Sequence, residues 1–147
     1  MAIIQGCYLP EELYYDVENH VWVQLLPGGE ALVGMTDVAQ KLAGKILYVT
    51  PKKVGKSFAR GKSAATIETE KWVGPLPLPL SGEIAEVNGE LKSNPTLINQ
   101  EPYKAGWILK LRLNQPEEIK ELLSGQAAIE AYRKKMETEN ITCEQEL

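Results

Sequence analysis

The chain has 147 residues, of which 44% are hydrophobic and 24% charged, with a formal net charge of -4. That is enough chain for one domain burying roughly two thirds of its unfolded surface, so no metal or disulfide scaffold is required. No apolar run approaches the ~18 residues of a membrane-spanning helix. Residues 1–12 have neither the basic flank nor the apolar length of a secretory signal. Ile4-Gln5-Gly6-Cys7 has the look of a lipoprotein cleavage site without its hydrophobic segment. Two cysteines, Cys7 and Cys143, stand near opposite ends, and there is one histidine. Neither a disulfide framework nor a His-rich metal site is expected, and the cysteines are expected as inert thiols near flexible ends. The composition predicts a cytoplasmic, single-domain chain poor in catalytic side chains.

Charge is segregated along the chain. Residues 1–37 carry -6, residues 38–67 carry +7, residues 68–114 carry -1 and residues 115–147 carry -4. The basic block invites an acidic partner or nucleic acid, yet between Lys52 and Lys62 the only aromatic is Phe58, which offers no series of stacking platforms. The acidic first segment serves equally well as its counterweight, and nucleic acid is not expected.

In chain order, residues 20–26 read as a strand with Val21, Val23 and Leu25 on one face, and Pro27-Gly28-Gly29-Glu30 turns into a second at 31–35. Thr36 is placed to cap a short helix holding Val38, Ala39 and Leu42 and stopped by Gly44. Further strands are predicted at 45–50, 63–70, 76–88 and 106–113. Asn114 or Gln115 then caps a helix with Pro116 at its first position, and Ser124-Gly125 separates it from a second. That second helix buries some of Ala128, Ile129, Ala131, Tyr132 and Met136, and residues 137–147 read as a frayed polar tail. The chain thus divides into an extension at 1–12, a β-domain at 13–114, C-terminal helices at 115–138 and a flexible tail at 139–147.

The pattern L-x-G-x-I-x-x-V occurs at 42–49 and again at 80–87, 38 positions later. In each copy glycine opens a strand, and Ile46 and Val49, or Ile84 and Val87, follow as buried β-branched residues. Two copies suggest two similar β-halves about a pseudo-twofold axis, joined through Lys71.

Catalytic motifs are missing. Gly55-Lys56-Ser57 and Gly61-Lys62-Ser63 imitate the end of a phosphate-binding loop, but its leading glycine would fall at Thr50 and Lys56. No G-x-S-x-G nucleophile turn occurs. His20, between Asn19 and Val21-Trp22-Val23, reads as a hydrogen-bonded structural imidazole. Glu117 and Glu118 read as solvated helix-start carboxylates.

The segment with chemical promise is Ile67-Glu68-Thr69-Glu70-Lys71-Trp72-Val73-Gly74-Pro75, where Gly74-Pro75 supplies turn chemistry after the lysine. Residues two apart in a strand direct their backbone groups to the same side. Pro75, Pro77 and Pro79 therefore remove donors from one edge, while Leu76, Leu78 and Leu80 keep theirs for the other. The result is a stiff strand that pairs on one side only and holds Lys71 at an exposed turn. A proline-rich ligand for an SH3-like domain is the rival reading of these prolines.

Glu68-Thr69-Glu70-Lys71, with Gly82 eleven residues later inside Pro79-Leu80-Ser81-Gly82-Glu83-Ile84, resembles the lipoyl-lysine hairpin of the glycine cleavage H-protein family. The resemblance continues through Glu18-Asn19-His20-Val21-Trp22, Val33-Gly34-Met35-Thr36, Asn94-Pro95-Thr96-Leu97-Ile98-Asn99 and Glu101-Pro102-Tyr103. It implies a mainly β, lipoyl/biotinyl-type barrel-sandwich hybrid of two pseudo-symmetric halves with C-terminal helices. It further implies lipoic acid in amide linkage to Lys71, with Glu68, Glu70 and Gly82 serving the hairpin and its recognition by a ligase. Such a chain is a carrier without its own active site, and an enzyme reading finds no supporting constellation. The implied partners are a lipoate ligase or lipoyl synthase machinery, and glycine cleavage enzymes acting on a monomer. The biotinyl relatives place methionines beside their lysine where Glu70 and Trp72 stand here, which disfavours biotin.

Trp72-Val73-Gly74-Pro75 and the two cysteines look more like the H-like lipoate-binding proteins associated with heterodisulfide-reductase-like sulfur oxidation. In that setting the arm carries a sulfur species, with Cys7 or Cys143 as possible redox assistants. The glycine cleavage H protein, carrying an aminomethyl group, is the alternative, and a plain protein-interaction module is a third.

Overall fold

A computed structural model describes residues 2–144. The strands are β1 (Ala2–Ile4), β2 (Cys7–Leu9), β3 (Tyr14–Asp16), β4 (Val21–Leu26), β5 (Glu30–Met35), β6 (Ile46–Pro51), β7 (Ser57–Phe58), β8 (Ser63–Thr69), β9 (Val73–Pro77), β10 (Gly82–Val87), β11 (Leu109–Leu113) and β12 (Leu123–Ser124). The helices are α1 (Asp37–Ala43), α2 (Glu90–Ser93), α3 (Leu97–Gln100) and α4 (Gly125–Glu139), with a 3-10 helix at Pro116–Glu121. A seven-stranded sheet runs β12-β3-β4-β5-β11-β10-β7, and a three-stranded sheet runs β6-β8-β9. This is the mainly β, lipoyl-type barrel-sandwich architecture, with a C-terminal helix.

The main core lies between the two sheets, where Val21, Val33, Ile84, Leu109 and Leu111 meet Ile46, Ala65, Ile67 and Leu76. A second cluster covers the outer face of the large sheet: Trp22 and Tyr15 pack under Ala128, Ile129, Tyr132 and Met136 of α4, and under Ile4, Cys7 and Leu9 of the β1–β2 hairpin. The first half of β4 is therefore buried on both faces, and its Leu25, expected inside, is 43% exposed because the strand runs out beyond that cover. Leu42 likewise faces outward at 41% exposure.

The internal echo is structural. β6 pairs antiparallel with β8 and shifts register between Ile46 and Tyr48, and β10 pairs with β11 and shifts between Ile84 and Glu86, the corresponding positions. Ile46 and Ile84 are both fully buried, with Val49 and Val87 packed beside them. The glycines before them differ in mechanism. Gly44 has φ +75 and closes α1, its amide donating to Gln40 O. Gly82 is needed for space, since a Cβ there would lie 2.7 Å from the Arg112 carbonyl oxygen.

Thr36 caps α1 as expected, its hydroxyl accepting from the Ala39 amide at 3.1 Å. The single strand expected at 76–88 is two: β9 ends at Pro77 and β10 begins at Gly82, in different sheets. Ser81 directs the crossing. Its amide and hydroxyl donate to the Glu118 carboxylate at 2.8 and 3.0 Å, and its hydroxyl accepts from the Arg60 amide. Glu118 is thus a tertiary clamp rather than a solvated helix-start charge. The strand expected at 106–113 starts at Leu109, because Gly106 and Trp107 are held in a turn by Glu101 O and Lys104 O.

Both chain ends depart from the expected looseness. The β1–β2 hairpin packs against α1 and α4, and beyond α4 Ile141 is buried while the Cys143 amide donates to Gln5 O at 2.9 Å. Cys7 and Cys143 form a disulfide, with their Cα atoms 4.9 Å apart. The expectation of two unpaired thiols near flexible ends is therefore corrected: separation along the chain says little once both ends dock on one helix. Residues 145–147 of the expected tail lie outside the described residues. No described helix is long and apolar enough to cross a membrane.

Candidate functional site

The hairpin joining β8 to β9 presents Lys71. The ladder pairs Glu68 with Val73, and the Thr69 amide donates to Trp72 O at 2.8 Å, so Glu70 and Lys71 are the two residues of the bend. Neither has positive φ, which is why the bend contains no glycine. The Thr69 side chain replaces the conformational help that glycine would give. Its hydroxyl accepts from the Lys71 and Trp72 amides at 3.1 and 3.0 Å and donates to Trp72 O at 3.1 Å. Thr69 is itself 5% exposed, so a buried side chain fixes an exposed bend. Gly74 and Pro75, expected as turn residues, lie within β9 instead. A Cβ on Gly74 would stand 3.2 Å from the Trp72 ring, so its bareness lets the indole fold back along the strand.

The proline pattern acts as anticipated. β9 is the edge strand and pairs only with β8, with Pro75 and Pro77 in register with Thr66 and Ser63. Leu76, Leu78 and Leu80 are buried, and Leu78 donates its amide to Lys62 O. The lysine therefore stands on an edge that resists further pairing.

Glu70 ties the bend to the start of β6. Its backbone amide donates to Lys45 O at 3.1 Å, and its Oε1 accepts from the Lys45 amide at 3.0 Å. The receiving segment is fixed in turn by Asn99, whose Oδ1 accepts from the Ile46 amide while its Nδ2 donates to Gly44 O and Gln40 Oε1. Glu68 precedes this clamp as a half-buried ladder residue. Gly82 lies outside the hairpin altogether, on β10, where its role is steric. Thr69 and Asn99 were legible as part of the sequence resemblance, but their hydrogen-bond roles were not, since each depends on backbone groups brought to it by folding.

Two cavities flank the bend. One, of about 200 Å³, is mostly apolar and is lined by His20, Met35, Ala39, Leu42, Ile67, Trp72 and Leu76 among others. The second, about 390 Å³, is lined by Lys71 itself with Lys41, Leu42 and the tail residues Asn140, Ile141, Thr142 and Glu144. A larger cleft of about 570 Å³, between the β3 region and α4, has no lysine-hairpin residue in its wall. Trp72 and Val73 are 41% and 62% exposed, an unusual apolar display beside a lysine.

His20 is the hydrogen-bonded structural imidazole expected. It stacks on Tyr132 with ring centroids 5.8 Å apart, and its Nδ1 lies 3.4 Å from the Tyr132 hydroxyl. Burial foremost, with Lys135 nearby, lowers its pKa to about 4, so it is neutral near neutral pH. Burial also pushes the Tyr15, Tyr103 and Tyr132 phenols above their usual range, which keeps them as neutral hydrogen-bonding groups. Tyr103 donates to Tyr8 O at 2.6 Å and accepts from the Asp37 amide, pinning the N-terminal hairpin to α1. Cys7, Cys143 and Asp37 lie together, but each sulfur is bonded to the other and the carboxylate accepts from Tyr8 and Gln40.

An exposed lysine on a fixed bend thus stands beside a small, mostly apolar groove. The model of the family described as "Glycine cleavage H-protein" matches residues 13–138. A protein named "Probable glycine cleavage system H protein 2" from Saccharolobus solfataricus is 45% identical over 145 residues, covering 97% of this chain and 98% of that protein. "Glycine cleavage system H protein 5" of Aquifex aeolicus is 49% identical over 127 residues, covering 84% and 85%. Among solved structures, the crystal structure of a glycine cleavage system H protein from Mycobacterium marinum superposes with a TM-score of 0.74 at 30% identity, covering 84% of this chain and 98% of that one.

Proposed function

The chain belongs to the glycine cleavage H-protein family, and from that premise we propose that it is a lipoyl carrier whose arm is built on Lys71. H proteins are lipoyl carriers. The observation that supports Lys71 as the attachment point is its exposure in a two-residue bend, fixed by Thr69 and clamped by Glu70. Bound there, lipoate supplies a dithiolane that opens to two thiols and holds a group covalently. The residues of this chain do the rest. Thr69 and Glu70 hold the backbone of the bend in one geometry, which a ligase can recognise without having to order it. Trp72, Leu42 and Met35 offer the arm's apolar end a groove away from water. The protein is read as a monomeric cytoplasmic carrier modified by a lipoate ligase or lipoyl synthase machinery.

Two cargoes fit such an arm. The bonded pair Cys7–Cys143, whose neighbours Thr142 and Glu144 share a cavity wall with Lys71, favours a sulfur species exchanged with a heterodisulfide-reductase-like complex. The names of the relatives favour an aminomethyl group passed among glycine cleavage enzymes.

Coexpression with a lipoate ligase tests the attachment: the intact mass rises by one lipoyl group on the Lys71 peptide, and Lys71→Arg stays unmodified. A mass gain retained in the variant, or none in the wild type, overturns the reading. Incubation with the aminomethyl-transferring enzymes and glycine then separates the cargoes, because only a glycine cleavage carrier is loaded.

A further inference from the structure

α1 has an end at each of two sulfur-relevant places. At its C-terminal end, the Lys71 Cε lies 3.5 Å from where a Cβ on Gly44 would stand. At its N-terminal end, Cys143 Sγ lies 3.9 Å from the carbonyl oxygen of Asp37. A seven-residue helix is about 10 Å long. The bonds from a lysine Nζ through an acyl chain to the nearer dithiolane sulfur advance roughly 9 Å when extended, from standard bond lengths. The arm and the helix are matched in length.

The lysine and the backbone that carries Cys143 meet at one cavity. Lys71 and the residues on both sides of Cys143, Thr142 and Glu144, line the same cavity of about 390 Å³. The two residues are not equally buried: Cys7 is fully buried, while Cys143 is half-buried. The tail that carries Cys143 is seated tightly, since a Cβ on Gly6 would lie 2.8 Å from Glu144 Cγ. The disulfide is thus presented at a fixed place rather than on a wandering tail.

We propose that Cys7–Cys143 is an intramolecular redox partner of the arm on Lys71, exchanging its disulfide for the arm's dithiol. The proposal rests on Lys71 being the lipoyl attachment site. In the exchange, one arm thiolate attacks Cys143 Sγ. The Cys7–Cys143 bond breaks, its electron pair passes to Cys7 Sγ, and that sulfur takes a proton. The second arm thiol then attacks the arm sulfur joined to Cys143, closing the dithiolane and releasing Cys143, which is protonated. Two electrons and two protons move from arm to cysteines, and the arm is the reductant. Cys143, the less buried residue of the pair, is the one attacked, and Cys7 is the one that leaves. The pair then stores the reducing equivalents that ring closure releases, so the arm is reset inside one molecule.

The experiment uses the full chain carrying lipoate on Lys71, confirmed by intact mass. NADH with dihydrolipoyl dehydrogenase reduces the arm, acid stops exchange, and maleimide labelling is read peptide by peptide. The expected result is label on the Cys7 and Cys143 peptides rising from background to about the level found on the arm. Isotopically heavy Lys71→Arg chain in the same tube stays at background, because the exchange is within one molecule. Labelled arms with both cysteines still joined overturn the proposal, as does equal labelling of the heavy variant. A chain that gains no lipoyl mass fails at the attachment reading itself, and is distinguished at the first weighing.

Discussion

Replacing Thr69 by Val keeps the shape and the β-branching of a buried strand residue but deletes the hydroxyl. Three hydrogen bonds disappear: those from the Lys71 and Trp72 amides and the one to Trp72 O. At about 1 kcal/mol net each, they total about 3 kcal/mol. Part is recovered, because Lys71 and Trp72 are exposed and water can reach their amides. The Thr69 amide also keeps its bond to Trp72 O, so the hairpin itself persists. The loss should be about 1–2 kcal/mol, borne locally by the bend rather than by the core. If the ligase acts only on the ordered bend, a loss of about 1.4 kcal/mol lowers the ratio of ordered to open bend roughly tenfold, and the reactive population by up to that factor where the ordered bend is marginal. Ligase kcat/KM should fall in Thr69→Val, by at most about five- to thirtyfold, and recover in Thr69→Ser, which restores the oxygen. Urea unfolding and initial rates of lipoylation, followed by intact mass, check both numbers. A Thr69→Val protein modified at the wild-type rate would show that the hydroxyl does not organise the bend.

Two other outcomes follow from the packing. His20 has its pKa lowered to about 4 by burial, so between that value and about 6.5 the unfolded chain binds a proton that the folded chain refuses. Its contribution to stability is complete above about pH 6.5 and is lost on acidification towards pH 4, by up to about 3 kcal/mol and less to the extent that the ring meets water. His20→Asn, which tolerates the φ of 56 at this position, should flatten that part of the stability–pH curve; parallel curves for the two proteins would contradict the assignment. Gly34 stands opposite Trp22 in the β4–β5 ladder, where a Cβ would lie 2.6 Å from the indole carbons. Trp22 is fully buried and its Nε1 donates to Pro102 O at 2.9 Å, so it has nowhere to retreat. Gly34→Ala should cost about 1–3 kcal/mol in urea unfolding, and a change under about 0.5 kcal/mol would mean the ring moves freely.

Local chemistry made much of the architecture readable. Thr36 ahead of an apolar helical run, Gly44 behind it, and prolines alternating with leucines each act within a few residues of themselves, so their consequences need no knowledge of the rest of the chain. The repeated L-x-G-x-I-x-x-V pattern goes further, since both copies make a bulged strand beside the core. The lysine in its Glu-Thr-Glu context was equally plain.

What folding alone decided are the pairings across long separations. Glu118 reaches Ser81, Asn99 reaches the Gly44–Ile46 segment, and Cys143 meets Cys7 across 136 positions. A carboxylate, an amide or a thiol carries no mark of its distant partner, because its side chain is satisfied by whichever group the packed sheets deliver within about 3–4 Å. By sequence the chain is a rigid stage for one lysine. By tertiary structure that lysine shares a cavity wall with the tail that holds Cys143.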